Sequence, residues 1–230
     1  MASQPPRLLR NSSSDLIMSI TKRFADLPRM NLICFGAPII TLLAIATAIM
    51  LAPDFSWSLN ALSDLGHYTR VDIGPNPLLR ALIFNIGLVL TGLLMLYYMW
   101  SLYQRFTDQS TRFGILPFGI ACIFLIAIGI FSENFSPIHF YVSVGFFFSF
   151  PWAMWIIGLI WLRQKKLQWV AIVSIILPFI SIYLWWGTSA DSFAWSGVAI
   201  PEILTAFTAI GWVWVVNLFD ITGKLSDLMQ

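Results

Sequence analysis

The sequence predicts an all-α polytopic membrane protein: six transmembrane helices in one bundle, preceded by an N-terminal interfacial amphipathic helix. Three observations predict it. Of the 230 residues, 58% are hydrophobic and only 10% are charged, whereas a soluble domain carries about 45–50% apolar and about 25% charged residues. The apolar residues gather into runs of roughly 20, the length that crosses about 30 Å of hydrocarbon. The basic residues fall between those runs almost entirely on one side, as the positive-inside rule requires of cytoplasmic loops.

The first segment, residues 1–30, is polar and basic. Within it "SSDLIMSITKRFADLPR" sets Leu16, Ile17, Ile20, Phe24 and Leu27 on one helical face. This predicts a helix over about 14–27, started by Ser13 or Ser14 and stopped by Pro28. It would lie on the cytoplasmic leaflet with Lys22 and Arg23 toward anionic headgroups.

The membrane domain follows over 31–220, with spans at 31–52, 80–103, 113–132, 139–162, 167–187 and 199–219, and a short tail at 221–230. Six spans put both termini on one side. Of the 13 basic residues only Arg70 and Arg80 belong to the opposite face, so both termini are expected in the cytoplasm of a multi-pass cell-membrane protein. Aromatic residues agree: Tyr97, Tyr98, Trp100 and Tyr103 close the second span inside, and Trp185 and Trp186 close the fifth outside. Pro38, Pro151 and Pro178 lie inside spans, where each removes one backbone hydrogen bond. Cys34 and Cys122 sit in apolar runs without metal-ligand spacing and read as small packing residues.

A net charge of +2, with no basic cluster on a solvated face, excludes a nucleic-acid binder. Membrane lipids are the expected surroundings, and a protein partner within the membrane is a further expectation.

The unusual chemistry lies in the outward loops. "NALSDLGHY" (60–68) supplies Asn60, Ser63, Asp64 and His67 in a loop that also carries Asp54, Arg70 and Asp72. "SENFSPIH" supplies Glu133 and His139, and Glu202 stands at the head of the sixth span just after Pro201. Glu202 suits the positive end of a helix dipole, whereas Glu133 ends its helix and opposes the dipole. Glu133 therefore needs a cation. Arg80, one turn into the second span, is the structural candidate; a metal ion or a protonated His139 would serve the same end. Asn85 in "LIFNIG" lies one turn deeper and must find partners among helices or in the first outer loop.

Two chemistries are open to these groups. Asp64 with His67, and Glu133 with His139, offer the oxygen and nitrogen ligands that a divalent metal such as zinc accepts, with Glu133 as a base. The same side chains also suit a structural network of hydrogen bonds and ion pairs, with Ser63 capping a turn. No Lys, Arg, Asp, Glu or His occupies mid-span, which disfavours an ion-coupled transporter.

In "NALSDLGHY", "LLRALIFNIGLVLTGLL" and "IFSENFSPIHFYVSVGFFFSF" the chain resembles the multi-span membrane family catalogued as domain of unknown function 998, over roughly residues 32–215. The resemblance implies a six-span bundle in an archaeal or bacterial membrane and brings no established reaction. A second, shorter likeness joins the Ser-Asp after the first span to eukaryotic six-span proteins of autophagy modulation and GPI-anchor remodelling. Zinc hydrolases of the alkaline ceramidase type combine Ser, Asp and three histidines, and this chain has two histidines. The leading expectation is a membrane protein that binds a lipid headgroup or a partner at an extracytoplasmic polar pocket. A metal-dependent membrane-embedded lipid hydrolase is the alternative, and a transporter the third.

Overall fold

The computed structural model describes residues 28–229. The amphipathic helix expected over 14–27 lies outside the described residues. Helix α1 spans Arg29–Met50, α2 Pro77–Arg105, α3 Gln109–Gly114, α4 Leu116–Ile130, α5 Ile138–Trp161, α6 Gln168–Ser189 and α7 Ala199–Ile221. Short α3 joins α4 in line, so six stretches are long and apolar enough to cross a membrane. This is a multi-pass, all-helical membrane architecture.

Local chemistry sets where the helices begin. Pro77 occupies the first turn of α2, a position whose N–H has no partner in any case, after Asn76 in a left-handed conformation (φ 52°). The helix thus starts three residues earlier than its apolar run suggests. Asp108 caps α3 by accepting from the Thr111 N–H at 2.7 Å and its hydroxyl at 2.6 Å, which pulls the third span back to Gln109. Pro38, Pro151 and Pro178 are all accommodated inside helices.

Each membrane helix packs on the next in sequence, and α7 packs back on α1, closing a six-membered ring. Small residues allow close approach: a side chain at Gly87 of α2 would lie 2.3 Å from the Ala44 Cβ of α1. Leu43, Ile86, Ile123, Phe148, Ile176 and Phe207, one from each membrane helix, point outward and are exposed. Such a girdle would be costly in water and is cost-free against lipid.

Chain ends and loops segregate. At the terminal end, Asn31 of α1 donates to Asn217 of α7 at 2.7 Å and to Asp220 at 3.0 Å, and Arg105 of α2 grips Asp220 with two bonds of 3.0 and 2.6 Å. The tail folds back here: Leu225 and Leu228 are buried, and the Leu228 carbonyl accepts from the Thr107 and Asp108 N–H groups. Loops 51–76, 131–137 and 190–198 gather at the opposite end, called here the loop end.

Candidate functional site

The loop end is organised by one turn. Residues Leu62–Gly66 form a single 3₁₀ turn laid across the ring. Asp64 is its hub, accepting from the Asn60 side chain at 2.6 Å and from the Ala61 N–H at 3.1 Å, and pairing with Arg70. Asn60 in turn accepts from the Ser56 N–H at 2.9 Å. From below, Asn85 of α2 donates to the Gly66 carbonyl at 2.9 Å, and Glu202 of α7 accepts from the Leu62 N–H at 2.6 Å. The turn therefore has its backbone groups answered by two helices far apart in sequence, as buried polar groups require.

The last loop secures it from the side. Ser196 and Gly197 both donate to the Ser58 carbonyl at 2.9 Å, and Ala199 donates to the Asn60 carbonyl at 2.9 Å. Gly197 is required there, since a Cβ would fall 2.4 Å from the Leu59 carbonyl carbon.

The charge pairing differs from expectation. Arg80 is fully buried but makes no ion pair with Glu133; it donates to the carbonyl oxygens of Arg70 at 2.6 Å and Gly74 at 3.4 Å, and its Nε has no partner. Arg80 thus ties down the loop that holds Arg70. Arg70, only six residues beyond Asp64 and free to curl back, is the cation of the cluster, contacting Asp64 and, at 3.1 Å, Asp72. Glu133 follows the third span, next to Asp64 and Arg70, with one carboxyl oxygen buried and unpartnered. Burial, reinforced by the Asp64 charge, pushes the Glu133 carboxyl up to about 7.

Each of the two histidines has hydrogen-bond partners of its own. His67 meets the Asn134 amide at 3.2 Å, and the same Asn134 accepts from the Tyr68 N–H at 3.0 Å, linking the first two loops. His139 lies 2.7 Å from the Phe131 carbonyl through Nδ1, which must donate because a carbonyl cannot. Its Nε2 then accepts from the Ser143 hydroxyl at 3.3 Å. Among the described residues no three His, Cys, Asp or Glu side chains are placed to hold a metal ion. His67, His139, Asp64 and Glu133 do not converge on one point there, and each histidine is oriented by its own loop or helix partners.

Beneath the turn lies a feature absent from the sequence reading. The ring encloses a cavity of about 130 Å³, lined by five of the six membrane helices through residues such as Ile45, Leu88, Leu125, Phe146 and Ala206. Its roof is polar, with Ser63, Ser143 and Glu202 on the lining. Wall hydroxyls are satisfied among themselves, Thr41 donating to Thr91 at 2.6 Å and Thr91 to the Ala37 carbonyl at 2.8 Å. Phe118 and Phe150 line its far part, and Trp212, off the lining, meets both rings edge to face; the three centroid separations are 5.6–6.0 Å. Trp212 is pinned by donating to Ser174 at 2.7 Å. The space is thus polar at the loop end and apolar from there toward the terminal end.

Of the nine residues singled out from sequence, the structure gathers Asn60, Ser63, Asp64, Asn85 and Glu202 on or against the turn, and Glu133 beside Asp64. His139 reaches the cavity only through Ser143, while His67 and Arg80 serve the surrounding loops. Arg70 and Asn134, both visible in the loops as polar residues, proved to be the connectors.

A family model described as a protein of unknown function (DUF998) matches residues 35–218. No curated protein and no solved structure matches the chain.

Proposed function

The chain belongs to that family of unknown function, and from this premise we propose that it binds a lipid-like amphiphile, headgroup at the polar roof and apolar chain in the cavity. The observation that carries the reading is the cavity itself: apolar walls and a polar roof match a molecule with one polar end. A protein partner could cover the loop end but could not enter a space of about 130 Å³.

In this reading residues 31–220 work as one membrane domain, with 1–30 and 221–230 as its cytoplasmic flanks. The roof then faces the extracytoplasmic side. Support comes from the basic residues, since among the described residues all but Arg70 and Arg80 lie toward the terminal end. The lining from Ala206 to Val213 on α7 is apolar, which speaks for binding over passage of a polar solute.

Native mass spectrometry of the full chain in nanodiscs tests the reading. The protein should retain a stoichiometric single-chain amphiphile, and Ala209→Phe, which fills the cavity from α7, should lose it. Equal retention by both proteins would defeat the proposal.

A further inference from the structure

We infer that the headgroup is a cation, so that the ligand is an amine-bearing or alkylammonium amphiphile with one short chain, paired through its ammonium to Glu202. This rests on the cavity-binding reading above and assigns the ligand its chemical class. Glu202 sits in the first turn of α7, is only 9% exposed and lines the cavity. One carboxyl oxygen accepts from the Leu62 N–H, and no hydrogen-bond partner meets the other among the described residues.

Among the described residues no side-chain cation answers it. The ionisable neighbours of Glu202 are Asp64 and Glu133, which are of its own sign. Arg70, the one base in that group, is already engaged by Asp64 and Asp72, and Arg80 spends its donors on backbone carbonyls. A carboxyl facing an apolar space keeps its proton unless a cation meets it, and an amine arriving there can take that proton to form a carboxylate–ammonium pair. The protein supplies the acid and leaves the position of the base open.

The roof also matches an ammonium in its hydrogen-bonding sense. An ammonium offers three donors and accepts nothing. Ser143 donates to His139, which leaves its oxygen lone pairs available, and the Ser63 hydroxyl has no partner among the described residues. Together with the free Glu202 oxygen they make three acceptors on one lining. An anionic headgroup would instead meet Glu202, with the Asp64 and Glu133 carboxyls nearby.

The dimensions limit the tail. The lining on α7 runs from Glu202 to Val213, about 16 Å at the helical rise. A volume of about 130 Å³ is close to the roughly 150 Å³ of an engineered cavity that takes up benzene. The space therefore holds about six carbons in extended form, one short chain or the first part of a longer one.

Matched probes separate the ideas. The full chain in phosphatidylcholine nanodiscs is titrated with octylammonium, octanol and octanoate, with empty nanodiscs as the partition control. Octylammonium should bind about tenfold tighter than octanol, and octanoate should not bind. Glu202→Gln, whose amide oxygen can still accept from Leu62, should bring octylammonium and octanol to within about twofold while leaving octanol unchanged. Ser143→Ala, which leaves the roof backbone intact, should weaken octylammonium alone. Equal affinity for octylammonium and octanol in the unmodified protein would overturn the cationic assignment and leave the cavity reading standing. A preference that survives Glu202→Gln would overturn it too. If no probe binds better to the unmodified protein than to Ala209→Phe, the cavity reading fails and takes this inference with it.

Discussion

Glu133 closes the third span at the negative end of a helix dipole, beside Asp64, with one oxygen buried and unpartnered. Burial and like charge together raise its carboxyl from 4.5 to about 7. A carboxyl raised on folding holds its proton more tightly in the folded state, so its contribution to stability is complete below about pH 4.5 and is lost as pH rises through about 7. Glu133→Gln mimics the protonated form. It should leave the thermal midpoint unchanged at pH 4 and raise stability at pH 8.5 by about 1 kcal/mol, the full linkage being discounted for the water that still reaches the group. Thermal unfolding at the two pH values checks this. At the same scale, Asp64 and Glu202 are legible in sequence as polar residues placed against an apolar background, but their partners are not. Arg70 rather than Arg80 reaches Asp64 because the loop curls back on itself, and no spacing rule encodes that curl.

Among elements, the decisive one is the five-residue turn Leu62–Gly66, held by α2, by α7 and by the 196–199 backbone. Its stability depends on backbone closeness that only glycine permits. Gly197→Ala would place a Cβ 2.4–2.6 Å from backbone atoms of Leu59 and Asn60, which cannot yield as a side-chain tip can. We expect a loss of about 1–3 kcal/mol. Hydrogen exchange should speed up at residues 58–62 and 196–199 while the membrane helices remain protected. Gly211 is the control, since nothing lies within 4 Å of a Cβ built there. Gly211→Ala should be neutral or stabilising by up to about 1 kcal/mol. The helices themselves were readable from the sequence to within a few residues, because hydropathy and Pro positions act locally. The turn was not, because its hydrogen bonds join residues such as Leu62 and Glu202 that are 140 apart in the chain.

For the molecule as a whole, the ring closes where α7 returns to α1, clasped at the terminal end by Asn31, Asn217, Asp220 and Arg105. Reporter fusions at the two termini should both report the cytoplasm, and a cysteine at exposed Val71 should react with an impermeant reagent from outside. Opposite sidedness of the two termini would contradict an even number of crossings.

The amino-acid sequence by itself determined the class of protein, the number of crossings and the end at which polar chemistry collects. Those properties follow from hydropathy, length and charge, which sum along the chain and need no knowledge of neighbours. Only the tertiary structure decided that Glu133 lies beside Asp64 and Arg70, that each histidine has hydrogen-bond partners of its own, and that Glu202 lines an apolar hollow. A cavity is the space five helices leave between them, and each contributes to its wall only unremarkable apolar side chains. Its existence depends on how the ring closes, which is a property of packing and not of any one segment.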